Sequence, residues 1–229
     1  MTLALRRTLR SLPILAAALC LFVLPAHASS FYAVSGQVAP GGPDPIFRFL
    51  ALAGSCGVGY PTAFGPADFA AADISPPATR IAFPHGAWGT SIPCEPNARW
   101  IGKDTVGSPV SGLYSVDFDL PANCCFTAAY LDFCWLVDDY LGDPVNPAGI
   151  YLNGVAIPSV AGGNYATETA MGGINVTSLV HCGKNTLYIY DRDAGCAISG
   201  VMIGAMLQVN DCVTPTDGTS WGSVKATYR

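Results

Sequence analysis

The chain has 229 residues, 11 basic and 16 acidic side chains and a formal charge of −5; 51% of it is hydrophobic and only 12% charged. An acidic, charge-poor chain argues against nucleic acid or an anionic membrane surface as a partner, since both need a basic face. Its length suits one large β domain, or one domain with an elaborated start.

Residues 1–28 read as an export signal of the ordinary Sec kind. Arg6, Arg7 and Arg10 make a positive start, Leu12 to Leu24 is the apolar run, and Ala26-His27-Ala28 supplies small residues for cleavage. Three of the eleven basic side chains leave with it, so eight face sixteen acidic ones, a net charge near −8. No later apolar run approaches the roughly 18 residues of a membrane span, so the mature chain is expected to contain none and to be secreted.

Eight cysteines remain after that cleavage: Cys56, Cys94, Cys124, Cys125, Cys134, Cys182, Cys196 and Cys212. An even number in an exported chain predicts up to four disulfides, whose connectivity spacing alone does not choose among about 105 possibilities. The adjacent Cys124 and Cys125 are expected to reach separate partners. No Cys-x-x-Cys pair favours a metal site instead.

Residues 29–97 are rich in Gly, Pro and Ala and read as long loops and short strands packed on the sandwich, held by Cys56 and Cys94. Ile46 to Ala53 fits a strand or one or two helical turns. Regular strands begin near Ala98 and run to Cys212. Trp100-Ile101 starts one. Tyr114, Val116, Phe118 and Leu120 then alternate with Ser115, Asp117 and Asp119, which places them on one face of a strand. Phe126–Val137 follows, with Leu131, Phe133, Trp135 and Val137 on one face.

Asn153-Gly154, between Ile150 and Ile157, is a two-residue hairpin signal, because both residues fill positions of positive φ. Thr177 offers a hydroxyl to cap a short helical turn that Gly183 can end. Leu187 and Ile189 mark a further strand. Val201, Ile203, Ala205, Leu207 and Val209 mark the last. Residues 213–229, a Pro/Thr linker followed by Trp221 and a short basic end, read as a tail. Many strands, little helical periodicity and Gly, Pro and Asn turns predict an all-β, antiparallel, disulfide-stabilised β-sandwich.

Chemistry is sparse. No Gly-x-Ser-x-Gly elbow or His-Glu-x-x-His occurs, His85 and His181 are far apart, and bridged cysteines leave no thiolate nucleophile. The protein is therefore expected not to be an enzyme. Asp138, Asp139 and Asp143 crowd one strand end, where hard oxygens could hold a structural Ca²⁺; the preferred reading has them capping backbone amides of a turn, with no cofactor. Asp191-Arg192-Asp193 reads as a hairpin turn with a local ion pair. Loop aromatics are the better clue to binding, since a sugar ring packs its C–H face on an aromatic ring while polar neighbours take its hydroxyls. Tyr140, Trp88 and Tyr165, with Asp139, Asp143 and Asn146, are the candidate ligand-binding residues. Trp100 and Trp135 are assigned to the core.

The stretches Ala98-Arg-Trp-Ile101, Tyr114-Ser-Val-Asp-Phe118, Ala129-Tyr-Leu-Asp132, Asp138-Asp139, Tyr151-Leu-Asn153-Gly154, Val176-Thr-Ser-Leu179 and Gly183-Lys-Asn185-Thr-Leu-Tyr-Ile189 together resemble the galactose-binding-domain-like jelly rolls. These are the sandwiches of many carbohydrate-binding modules. The likeness covers roughly residues 80–209; cysteine density and the insertion Leu141 to Ala148 depart from it. The resemblance implies a non-catalytic module that binds an extracellular glycan or surface polymer through loops at one end. The alternative is a structural subunit of a surface matrix or filament, self-associating through edge strands and the tail.

Overall fold

The computed structural model describes residues 28–52, 56–158 and 160–212, so all but Ala28 of the predicted export signal, and the tail with Trp221, lie outside the described residues. Within them one short helix accompanies twelve strands. In chain order these are β1 (Ala28–Val34), β2 (Pro43–Ala51), α1 (Pro66–Asp73), β3 (Pro77–Arg80), β4 (Ile101–Gly102), β5 (Gly112–Leu120) and β6 (Phe126–Asp138). There follow β7 (Tyr140–Leu141), β8 (Ile150–Leu152), β9 (Val155–Ala156), β10 (Thr169–Asn175), β11 (Gly183–Arg192) and β12 (Gly200–Asp211).

Every strand pairing is antiparallel, in the order β10-β6-β12-β4-β3-β2-β5-β11-β8-β9, with β1 also on β12 and β7 also on β11. Alternation decides which side of each strand is buried. Leu131, Phe133, Trp135 and Val137 of β6 and Val201, Ile203, Ala205, Leu207 and Val209 of β12 join Phe47 and Phe49 of β2, Tyr114 and Val116 of β5, and Leu187 and Ile189 of β11 in one core. Strands at opposite ends of the order therefore share their inner faces. The sheet is curled on itself into a β-sandwich-like fold, and the expected all-β antiparallel class holds.

The Asn153-Gly154 turn is present, with φ of 53° and 79° and Leu152 paired to Val155. Asn153 also accepts the Thr186 amide at 2.9 Å and donates to the Leu179 carbonyl at 2.7 Å, tying the hairpin to β11 and the 177–180 turn.

Four local expectations change. The ambiguous Ile46–Ala53 stretch is strand β2 as far as Ala51, in register with β5 through Phe47 and Val116. Residues 28–34, which fall at the end of the predicted signal and in the stretch read as long loops and short strands, pair along β12 for seven positions. Their inward set is only Phe31 and Ala33, too short a pattern to read alone. α1 went unseen because three consecutive alanines blur its periodicity; Pro66 starts it, and the Asp68 carboxylate accepts the Gly65 amide at 2.9 Å. The Thr177 hydroxyl caps no helix. It accepts the Ala129 amide at 2.9 Å, while Asn175 takes the Thr177 amide.

All eight cysteines are bridged: Cys56–Cys196, Cys94–Cys134, Cys124–Cys182 and Cys125–Cys212. The adjacent pair reaches separate partners, as expected. No helix among the described residues is long and apolar enough to cross a membrane.

Both outer faces are partly covered. Over β5 and β11, Phe69 and Ala72 of α1 pack on Leu113, Tyr188 and Tyr190. Over β6 and β12, Trp88, Ile92 and Trp100 pack on Leu136 and Met202.

Cys56 and Cys196 are 140 residues apart, so their bridge closes a long unfolded-state loop. Replacing both by Ala is expected to cost about 2–4 kcal/mol in urea denaturation. A loss under about 0.5 kcal/mol would show that this bridge does little for the fold.

Candidate functional site

β12 buries its odd-numbered residues, so Gly204, Met206 and Gln208 face outward. Register then builds rows across three strands. Tyr32 of β1 stands opposite Met206, which stands opposite Asp132 of β6. In the next row Ser30 faces Gln208 and Gln208 faces Tyr130; on the other side Val34 faces Gly204 and Gly204 faces Cys134. β10 closes the edge, with Ala170 opposite Cys134 and Asn175 opposite Tyr130.

Part of these rows, with Cys134, Ala170, Gly172 and Gly204, lines a groove of about 370 Å³ together with Tyr32, Glu95, Asp132 and Met206. Glycines make it possible. A Cβ at Gly204 would come 2.6 Å from Glu95 Cβ, and one at Gly172 would come 2.9 Å from Asp132 Oδ1. Gly173, at φ +66°, sits in the β10 bulge and donates its amide to Asp132 Oδ1 at 2.6 Å. Gln208 donates to Asp132 Oδ2 at 3.2 Å, so that carboxylate is held in place from two sides. Tyr32 is 66% exposed, the most open tyrosine among the exposed large hydrophobics.

The groove ends where residues 83–99 cross the face. The Cys94–Cys134 bridge pins that crossing at one end; at the other, Trp88 packs on Trp100 with the rings tilted by 33° and their centroids 4.3 Å apart. Trp88 Nε1 donates to Asp138 Oδ2 at 2.7 Å. Trp88 is thus 5% exposed and belongs to the packing, as do Trp100 and Trp135.

The other sequence candidates scatter. Asp143 and Asn146 are brought together, but their polar atoms serve the protein. Asp143 Oδ1 accepts the Val145 and Asn146 amides, and its Oδ2 accepts the Tyr60 amide and the Tyr190 hydroxyl. Asn146 accepts the Phe64 amide and donates to the Thr62 carbonyl. Burial opposes the charge on Asp143, yet the donors from Asn146, Tyr190, Tyr60 and Val145 outweigh it and hold its pKa below the usual value. Tyr140, on β7, and Tyr165 remain 49% and 39% exposed.

Both carboxylate oxygens of Asp143, the third proposed Ca²⁺ ligand, are therefore taken by the protein's own donors. Asp139 Oδ2 caps the Ala194 and Gly195 amides. Among the described residues no group of three or more His, Cys, Asp or Glu side chains is placed to hold a metal ion.

Asp191-Arg192-Asp193 is no hairpin turn with an ion pair. Asp191 continues the inward series of Leu187 and Ile189, so it and Asp193 are fully buried. Ser199 donates to Asp191 Oδ2 at 2.6 Å and the Cys196 amide to Asp193 Oδ1 at 2.7 Å; Asp191 Oδ1 and Asp193 Oδ2 have no partner. Desolvation raises the pKa of both. It also pushes Asp138 up to about 7, helped by hydrogen bonding with Asp139.

No protein-family model matches the chain, and no curated protein does. Among solved structures it is similar to an FMN-binding β-glucuronidase from F. prausnitzii L2-6, at 14% identity and TM-score 0.35, over 79% of this chain and 23% of that one. It is also similar to a β-glucuronidase from an uncultured Clostridium sp., at 12% identity and TM-score 0.35, over 80% of this chain and 29% of the other.

The Asp138 carboxyl gives a pH signature. Its folded pKa lies above the unfolded value of about 3.9, so between those values the folded state holds the extra proton and stability falls as pH rises. Asp138→Asn keeps an acceptor for Trp88 and removes that fall. The variant is expected to gain about 1–3 kcal/mol over the parent at pH 8 and nothing at pH 4 in denaturant titrations. An equal difference at both pH values would contradict a protonated Asp138.

Proposed function

We propose that the protein is an exported, non-catalytic module that holds a stretch of extracellular glycan in the groove of β1, β12, β6 and β10. The observation that carries this reading is the row Tyr32, Met206, Asp132 above a glycine floor. It offers an open aromatic face for the C–H side of a sugar ring, a sulfur-bearing apolar contact beside it, and a fixed carboxylate that can accept ring hydroxyls. Glu95, which also lines the groove over Gly204, adds a second acceptor. The groove supplies no cation, so its ligand is a neutral sugar chain.

The four disulfides and the signal-like residues 1–28 support export. The jelly-roll reading of galactose-binding type belongs to the same proposal, supported by the Asn153-Gly154 hairpin and its hydrogen bonds to Thr186 and Asn185 at the start of β11. The site differs from the loop end that resemblance implies. There Trp88, Asp143 and Asn146 are spent on packing, whereas the sheet face is open.

A glycan array probed with the protein and with Tyr32→Ala and Tyr140→Ala variants tests the proposal. Binding to neutral oligosaccharides is expected to fall at least about tenfold with Tyr32→Ala, as for a central aromatic contact, and to persist with Tyr140→Ala. Loss with Tyr140→Ala alone would move the site to the loop end, and a blank array from folded protein would refute glycan binding.

A further inference from the structure

A second cavity, of about 320 Å³, lies on the far side of the 83–99 crossing and has the opposite charge character. Cations are scarce in this chain: the described residues hold Arg48, Arg80, Arg99, Lys103, Lys184 and Arg192. Two of these six, Arg80 and Arg99, line this one cavity together with His85, and no Asp or Glu does.

The fold brings the three together from separate segments. Arg80 ends β3, where it pairs with Ile101. Arg99 lies just before Trp100, and its amide donates to the Ser35 carbonyl at 2.9 Å. His85 opens the turn in which the Trp88 amide returns to its carbonyl at 2.9 Å.

Each guanidinium is oriented by carbonyl groups. Arg80 Nη1 donates to the Val38 carbonyl, and Arg99 Nη1 donates to those of Pro96 and Ala98 at 2.8 and 2.7 Å. Neither is neutralised. Both ion pairs among the described residues are made by Lys184, on Asp73 and Asp117. The Nε and Nη2 groups of Arg80 and Arg99 make no hydrogen bond to the described protein, so each fork keeps donors to offer. His85 Nδ1 accepts the Ala87 amide at 3.3 Å, which leaves Nε2 as the outward donor.

Two arginines without a carboxylate partner line one cavity, and that charge favours an anion there. A planar carboxylate matches the guanidinium fork in geometry as well as charge. Pro84 lies exposed beside the arginines over the buried Trp88, Ile81 and Met202, and the volume is within the range of small-molecule sites.

We infer that this cavity binds the carboxylate of a sugar acid, with Arg80 and Arg99 gripping the charge and His85 donating alongside. The choice of a sugar, over other carboxylates, rests on the glycan reading of the neighbouring groove. The two sites would let one module hold a chain of mixed neutral and acidic residues.

Isothermal titration with trigalacturonate, with its methyl ester and with sodium sulfate tests the inference. Trigalacturonate is expected to bind saturably, and the ester, which keeps the shape and loses the charge, at least tenfold more weakly. Arg99→Gln and His85→Gln are each expected to weaken trigalacturonate about fivefold or more. His85 is exposed, so an unchanged thermal midpoint in its variant shows that the loss is not unfolding.

Equal affinity for acid and ester, or full binding retained in both variants, overturns the inference. Sulfate competing as well as trigalacturonate at equal charge overturns the assignment to a sugar acid. Neutral oligosaccharides bound without any binding of trigalacturonate sinks this inference and leaves the groove standing. Trigalacturonate bound without neutral glycans supports it and sinks the groove reading alone.

Discussion

Everything in this fold depends on one core shared by both halves of a curled sheet. Trp135, Ile203, Tyr114 and Ile189 are all buried in it, and they come from four strands in two parts of the sheet order. Period-two alternation then dictates that their neighbours face outward. A sheet has two sides, so burying one set of residues leaves another to be covered or left open. Here α1 and its tyrosine neighbours cover one outer face. On the other, the 83–99 crossing covers only the middle, fixed by a disulfide and by the Trp88–Asp138 hydrogen bond. The groove and the basic cavity are what that single strap leaves on either side.

The acidic composition takes on a different meaning in this light. Asp138, Asp191 and Asp193 sit where water is excluded, and desolvation favours their neutral forms. Asp143 goes the other way, because four donors converge on its carboxylate. Four of the sixteen acidic side chains are therefore engaged inside the fold. The charges that remain to meet a ligand are few and separated: Glu95 and Asp132 in the groove, Arg80 and Arg99 in the cavity.

The class of fold was legible because β5, β6, β11 and β12 are long enough to show their period. The Asn-Gly hairpin was legible because positive φ is written in residue type. What failed were short or interrupted elements. β1 has two inward residues, β10 is broken by Gly172-Gly173, and the alanines of α1 carry no periodic signal. That failure hid the groove. Tyr32 has no face until β1 is placed on β12, and no local pattern links it to Asp132 100 residues later. Asp143 and Asn146 looked like ligands because a crowded loop of oxygens has the same letters whether it binds a metal or its own amides. The outward series Gly204, Met206 and Gln208 was a usable clue: an outward strand face free of charge is worth asking about. Arg80 and Arg99 gave none, since their proximity comes from tertiary packing of segments 19 residues apart.

The central claim is that the open sheet face, and not the loop end, is where this protein meets its ligand. Amide chemical shifts of the isotopically labelled protein, followed by NMR during titration with a neutral oligosaccharide, test it most directly. Shifts concentrated at Tyr32, Asp132, Gly173 and Met206, with the 139–146 segment unmoved, are the expected result. Shifts concentrated at Tyr140 and its neighbours, with β1 and β12 silent, would contradict the account.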